Sequence, residues 1–191
     1  GMEIKVGPGR YLDFLMELRG PDGKKTKLIV EFKTRLEPKL VAMLAEQLRA
    51  YSQALNKEAV AMVVSPFLAM STRQSLKEAG IPYADMTGNM WLVSSRPGLY
   101  IETQGAEKNP DRKDRPVGSL KGAKAASIVR ALCDFPPPYT VIKLAELAKV
   151  DPGYASRVLS FLDTEDLIRR EPRGPIKEVR WRKLIERWVQ Y

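Results

Sequence analysis

The alternation of apolar and polar residues near the start of the chain predicts an antiparallel hairpin. Two strand-like runs, 13–19 and 27–34, flank Gly-Pro-Asp-Gly at 20–23, which is a strong turn signal. After Pro38 the apolar positions change to a helical period. One face of this helix would carry Leu40, Leu44, Leu48, Tyr51 and Leu55.

The following stretch supplies the other elements of a mixed sheet. The apolar run 59–64 predicts a buried strand, and 71–79 predicts a short helix that ends at Gly80. Two further strands are expected at 91–94 and 99–102. The order of these elements indicates an α/β domain, in which helices flank a mixed sheet.

A polar segment rich in proline and glycine, 105–122, predicts a linker between a domain at 1–104 and a second domain at 123–191. Three helices are expected in the second domain, at 123–135, at 141–149 and up to about 162. Two short strands within 169–181 and a final helix at 184–189 follow.

Composition narrows the class of protein and of chemistry. The chain has 191 residues, 44% of them apolar and 29% charged, which is the balance of a soluble globular protein. No apolar run is long enough to span a membrane and no signal pattern is visible. We therefore expect a cytoplasmic protein with no membrane partner.

Two residue counts exclude whole mechanisms. Histidine is absent, which removes serine-histidine and cysteine-histidine nucleophile systems and histidine-ligated metals. Cys133 is the single cysteine, so the chain has neither an internal disulfide nor a zinc cluster, and the apolar pattern around it predicts a core position. Carboxylate chemistry, with or without a hard cation, remains, as does a function without catalysis.

The net charge of +9 suggests a polyanionic partner such as nucleic acid. The nineteen residues 169–187 contain eight basic and three acidic side chains, which accounts for +5 of this total. The surplus therefore lies where the two short strands are expected. Trp181 and Trp188, in the same region, are interpreted as packing residues.

The expected hairpin brings three charged residues together. A turn centred near Asp22 pairs residues whose numbers sum to about 44, which places Asp13 opposite Glu31. Lys33 is two residues beyond Glu31 and shares its face. Two carboxylates at this spacing suit Mg²⁺ or Mn²⁺, and a neighbouring lysine could orient a water molecule.

These residues resemble the PD-(D/E)xK nuclease superfamily, and most nearly its RecB-like branch. The similarity lies in Gly-x-x-x-Asp at 9–13, the strand Val-Glu-Phe-Lys-Thr at 30–34 and Gln47 with Tyr51 on the next helix. The resemblance implies a restriction-endonuclease-like fold in which Asp13 and Glu31 hold the metal. It further implies that Lys33 assists the water and that Gln47 and Tyr51 border the catalytic site.

The stretch 80–92, GIPYADMTGNMWL, is similar to a segment of abortive-infection antitoxin regulators of the type IV toxin–antitoxin group. That resemblance implies a helix-turn-helix domain, autoregulation of transcription and a cognate toxin as partner. Physically, Gly88-Asn89 is a good turn between two strands, and a structural role is favoured over a binding site.

The region 125–182 resembles the winged helix-turn-helix of bacterial regulators. The resemblance implies that the third helix of the second domain enters the major groove of duplex DNA and that the wing touches the backbone. Tyr154, Ser156 and Arg157 would face the DNA, with Arg157 reading a guanine edge. Arg170, Arg173 and Lys177 would pair with phosphates at the wing.

The preferred interpretation is a homodimeric DNA-binding regulator of transcription, antitoxin-like, whose nuclease-like domain supports assembly or binding. The alternative is a Mg²⁺- or Mn²⁺-dependent DNA endonuclease that the winged helix directs to its target. The two differ in whether Asp13, Glu31 and Lys33 perform cleavage.

Overall fold

The computed structural model describes residues 4–5, 11–54, 59–111, 120–171 and 174–190, with side chains from residue 13 onward. Contacts between α-carbons divide the chain into two compact units, Gly1–Asp111 and Arg112–Tyr191. The division falls inside the predicted linker. Each unit has its own apolar core.

The described residues of unit 1 form eight strands and two α-helices, with a short 3₁₀ turn at Pro38–Leu40 before the first helix. The strands are β1 (Ile4–Lys5), β2 (Tyr11–Leu12), β3 (Phe14–Arg19), β4 (Lys25–Phe32), β5 (Ala59–Ser65), β6 (Tyr83–Asp85), β7 (Met90–Ser95) and β8 (Gly98–Thr103). The helices are α1 (Val41–Ala54) and α2 (Met70–Glu78). The mixed α/β class is as predicted.

Six of these strands form one mixed sheet in the order β3-β4-β5-β6-β7-β8. Strands β4, β5 and β6 run parallel, while β3, β7 and β8 are antiparallel to their neighbours. Phe14 pairs with Val30 and Arg19 with Lys25, so paired residue numbers sum to 44 as the turn predicts. The Gly-Pro-Asp-Gly turn therefore sets which side chains of β3 and β4 share a face.

The two faces of the sheet carry different cores. Odd-numbered residues of the parallel strands, including Ile29, Val63 and Tyr83, pack with the apolar faces of α1 and α2. Even-numbered residues, including Leu28, Val30 and Met62, form a second cluster on the opposite face. Because strands alternate sides, a residue's parity decides whether it lies beneath the helices.

In unit 2, the part of the chain that the structure describes forms four helices and a two-stranded hairpin. These elements are α3 (Ala123–Asp134), α4 (Val141–Ala148), α5 (Pro152–Thr164), β9 (Ile168–Arg170), β10 (Ile176–Val179) and α6 (Trp181–Val189). Side-chain caps begin two helices: Thr140 accepts from the amide of Lys143, and Asp151 accepts from the amide of Tyr154. Lys149 ends α4 in the left-handed conformation, with φ of 53°.

The core of unit 2 is formed by side chains of α3, α4, α5 and the hairpin. Its fully buried members include Ile128, Leu144, Leu159 and Ile176, and Leu184 attaches α6 to the same cluster. Leu120, within the predicted linker, is also fully buried there. No helix in the described ranges is long and apolar enough to cross a membrane.

Two expectations about single residues were wrong. Cys133 is exposed, because the buried stripe of α3 ends at Leu132, two residues before the helix ends. Trp181 is 58% exposed and is not a core residue, whereas Trp188 is 37% exposed, because α6 contacts the core mainly through Leu184. A helix near the edge of a domain buries a narrower stripe than its apolar pattern suggests.

Candidate functional site

The first candidate site lies at the carboxyl end of β4, on the face that α1 covers. Glu31 is 6% exposed, and its Oε1 accepts a hydrogen bond of 2.7 Å from Nζ of Lys33. The alternation of β4 places both side chains on the same face. A buried carboxylate is thereby neutralised by a half-exposed ammonium two residues away.

Helix α1 adds two polar groups to this carboxylate. Nε2 of Gln47 donates to the Tyr51 hydroxyl at 2.8 Å and lies 3.4 Å from Oε1 of Glu31. Gln47 and Tyr51 are one helical turn apart, so they project from one face of α1 onto the sheet. The structure therefore brings Glu31, Lys33, Gln47 and Tyr51 into one hydrogen-bonded cluster.

Asp13 reaches the same strand in a different manner. It precedes β3, and its Oδ2 accepts a hydrogen bond of 2.8 Å from the backbone amide of Phe32. The carboxylate thus occupies the position of a strand partner at the end of β4. Asp13 lies beside the backbone between Glu31 and Lys33, exposed to solvent, whereas Glu31 is buried.

The oxygen atoms at this site are of the kind that a hard cation binds. Asp13 and Glu31 offer carboxylate oxygens, and Mg²⁺ commonly takes one or two carboxylates together with water molecules. A cation at Glu31 would compete with the Lys33 ammonium for the same carboxylate. Within the described residues, no three acidic or cysteine side chains are grouped as a metal cage.

A second polar cluster occupies the turn between β6 and β7. Asp85 is 8% exposed and accepts five hydrogen bonds, from Thr87 (amide and hydroxyl), Asn89 (amide and Nδ2) and the amide of Leu68. Burial alone would raise the pKa of Asp85, but these donors outweigh it and the pKa is lowered. Both carboxylate oxygens are therefore fully occupied by the protein itself.

Asn89 extends this cluster to the residues that follow β8. Its Nδ2 donates to the carbonyl of Ala106 at 3.0 Å, and its Oδ1 accepts from the amide of Gly105 and from Arg73 of α2. A Cβ on Gly105 would lie 2.1 Å from the carbonyl oxygen of Thr87. The turn expected at Gly88-Asn89 is thus present, and residues 105–106 of the predicted linker are fastened to it.

The second candidate site is the exposed face of α5 in unit 2. Ser156 and Arg157 are exposed, and the Arg157 guanidinium lies 5.8 Å from the ring centre of the half-buried Tyr154. Arg157 has no carboxylate partner in the described part of the chain. Tyr154 packs against the core, so its ring supports Arg157.

Ser160 connects this face to the hairpin, and sequence reasoning missed it. Its hydroxyl donates to the carbonyl of Ser156 and accepts from Nη2 of Arg170, both at 2.9 Å. Arg170 of β9 therefore lies beside α5 rather than at the hairpin tip. The spacing of four residues from Ser156 was the signal that could have identified Ser160.

The basic surplus of residues 169–187 is smaller than the sequence count suggests. Among the residues that the structure describes, ion pairs within unit 2 join Lys177 with Glu171, Arg180 with Asp166, and Arg187 with Glu165. Asp166 and Glu165 lie outside the counted window, which is why the count missed them. Arg173 lies outside the described residues.

The Lys177–Glu171 pair differs from the other two in its exposure. Both side chains are more than half exposed, and the hydrogen bond from Lys177 lowers the pKa of Glu171. Exposed pairs contribute little free energy, so Lys177 can exchange Glu171 for another anion. The Lys177 ammonium is therefore more exchangeable than the Arg187 guanidinium, whose ion pair is less exposed.

Comparison of the chain with models of known protein families, with curated proteins and with solved structures found no match.

Proposed function

We propose that this protein binds duplex DNA through unit 2 and acts as a transcription regulator of the antitoxin type. The observation that carries the proposal is the exposed face of α5, where Arg157, which has no carboxylate partner among the described residues, lies beside Ser156 and Ser160. Arg170 extends the face from β9. Guanidinium and hydroxyl groups on one exposed helix face suit both base edges and phosphates.

The arrangement of elements in unit 2 supports the same proposal. Helices α4 and α5 are joined by a three-residue turn, and a β-hairpin follows α5. In a winged helix the second of these helices enters the major groove and the hairpin touches the backbone. Arg157 would then read a base edge, while Arg170, Arg173 and Lys177 would contact phosphates.

The alternative function is a Mg²⁺- or Mn²⁺-dependent endonuclease on a restriction-endonuclease-like unit 1. The cluster of Glu31, Lys33, Gln47 and Tyr51 favours this function. A buried carboxylate paired with a lysine is not needed to stabilise the fold, and such pairs are frequent at functional sites. Asp13 and Glu31 would hold the ion, and Lys33 would position a water. The ion would supply Lewis-acid stabilisation of charge on the phosphate.

One experiment separates the two functions. Plasmid and linear DNA are incubated with Mg²⁺ or Mn²⁺ and the wild-type protein, Glu31→Gln, Glu31→Ala or Lys33→Ala, and DNA retardation is measured for the same proteins. Lys108→Ala, an exposed charge change in unit 1, is the matched control. Thermal melting of each variant establishes that it is folded.

We expect no cutting and equal retardation by all of these proteins, with weaker retardation by Arg157→Ala. Metal-dependent cutting that the Glu31 and Lys33 variants abolish would establish the endonuclease instead. Failure of the folded wild-type protein to retard any DNA would refute the proposal. A toxin partner is tested separately, by co-purification of a neighbouring gene product with the tagged protein.

A further inference from the structure

Helix α6 carries an exposed apolar stripe that the proposed DNA-binding function does not use. Trp181, Ile185, Trp188 and Val189 follow helical spacing and are 58%, 39%, 37% and 78% exposed. Leu184, on the adjacent side of the helix, is fully buried in the core of unit 2. The helix is thus attached to the domain along one edge and leaves two indoles and two aliphatic side chains partly exposed to solvent.

Such a stripe is large for a nine-residue helix. A fully exposed tryptophan side chain offers about 250 Å², so the two indoles alone present roughly 240 Å² of accessible area. Clustered exposed aromatic residues are typical of contact surfaces, because their exposure to water does not stabilise the isolated domain.

The charges beside the stripe indicate what covers it. Arg182 and Glu186 lie one turn apart along its outer flank, both exposed. Arg182 stacks on Trp181 at 5.7 Å, and the described part of the chain provides neither residue with an ion-pair partner. When two copies of such a helix pack antiparallel, the cation of each copy faces the anion of the other.

We propose that the partner is a second copy of this chain, docked by antiparallel pairing of α6 across a two-fold axis near Leu184. In that arrangement Arg182 of each copy opposes Glu186 of the other, and the tryptophans cover the opposite indoles. A parallel two-fold arrangement would place the Arg182–Glu186 flanks of the two copies on opposite sides of the contact, where these charges could not pair. An isologous contact of this kind closes at two copies.

The contact area predicts a weak dimer. A standard stable interface buries roughly 800 Å² on each partner, and the stripe provides about half of that. We therefore expect a dissociation constant on the order of tens of micromolar for the free protein, measured without DNA. The inference does not depend on DNA binding, so it can fail or succeed independently of the proposed function.

Sedimentation velocity of the full chain from about 1 to 200 µM, in reductant and at low salt, tests the proposal through a charge exchange. We expect Arg182→Glu and Glu186→Arg each to weaken dimerisation about tenfold, and the double variant to restore it. Trp181→Ser should abolish it, whereas Lys108→Glu, the matched charge change in unit 1, should leave it unchanged.

Restoration in the double variant is the decisive result, because a general effect of charge on folding would not reverse. A wild-type protein that stays monomeric at 200 µM would overturn the proposal. So would a dimer that neither single charge variant weakens, since it would use another surface. Binding of the monomer to anionic lipid vesicles through α6 would assign the stripe to a membrane surface instead.

Discussion

Arg170 and Ser160 are joined by a hydrogen bond of 2.9 Å in which the guanidinium donates to the hydroxyl. Ser160 uses its own hydrogen on the carbonyl of Ser156, so it remains an acceptor for the arginine. The contact spans ten residues of sequence and holds a long flexible side chain beside α5. Arg170 would therefore have less conformational entropy to lose in the proposed phosphate contact.

Ser160→Ala should weaken DNA binding, although Ser160 itself need not touch DNA. Loss of one neutral acceptor releases Arg170, for which we expect an effect of about two- to fivefold in affinity. Titration of a labelled duplex with wild type, each single variant and the double variant measures the coupling. If Ser160→Ala weakens binding by the same factor in an Arg170→Ala background, the serine does not act through Arg170.

Arg157→Ala should discriminate between base reading and phosphate contact. A guanidinium that reads a base edge contributes roughly 1–3 kcal/mol to discrimination, so binding to a selected preferred duplex should fall about 5- to 150-fold. Binding to random duplex should fall much less. Equal losses on the two duplexes would place Arg157 on the backbone.

Arg173→Ala combined with Lys177→Ala tests the hairpin as a phosphate-contacting element. The affinity for both duplexes should fall alike, and the slope of log affinity against log salt should become shallower by up to about 2. Lys177 must leave Glu171 to bind phosphate, so Glu171→Gln should strengthen binding slightly. A slope that does not change in the double variant would remove the hairpin from the interface.

Gly105→Ala should destabilise unit 1 strongly. Its Cβ would lie 2.1 Å from the Thr87 carbonyl oxygen and 2.7 Å from the Asn89 amide, both backbone atoms that cannot move independently. We expect a cost of about 2 kcal/mol or more in the free energy of unfolding. Gly98→Ala, where a Cβ meets nothing within 4 Å, is the matched control and should change stability by less than about 0.5 kcal/mol. Urea denaturation of both variants provides the comparison.

Asp85 should make the stability of unit 1 sensitive to acid. Its pKa in the folded state is lowered from the ordinary value of 3.8, so its contribution is present above that value. The contribution is lost as the pH falls through the folded pKa. Asp85→Asn should cost about 2 kcal/mol or more at pH 7, because an amide cannot accept from all five donors. Urea denaturation from pH 7 to pH 3 should show the gap between wild type and variant narrowing below about pH 4, and a constant gap would contradict this assignment.

Part of the first candidate site could be predicted from short-range sequence signals. The Gly-Pro-Asp-Gly turn predicts the register of β3 and β4, and helical spacing predicts that Gln47 and Tyr51 meet. The register does not continue to Asp13, whose side chain turns to the Phe32 amide just before β3 begins. A side-chain contact with backbone at a strand end leaves no periodic signal in the sequence.

Other features depend on contacts that are distant in sequence. Arg187 is neutralised by Glu165, twenty-two residues away, and a count over a local window cannot include that pairing. Cys133 and Trp181 follow the apolar pattern of their helices, but each lies where its helix runs past the core. Periodicity identifies the apolar side of a helix, whereas the width of its buried stripe depends on the neighbouring elements.

The exposure of Cys133 has a practical consequence for work on this protein. It is the single thiol of the chain, so air oxidation can join only two separate molecules. Partial desolvation and the neighbouring Asp134 charge raise the pKa of Cys133, which keeps it mostly protonated and slow to react at neutral pH. At alkaline pH, where the thiolate forms, the same thiol is a unique attachment point for a fluorophore on unit 2, without any engineered cysteine.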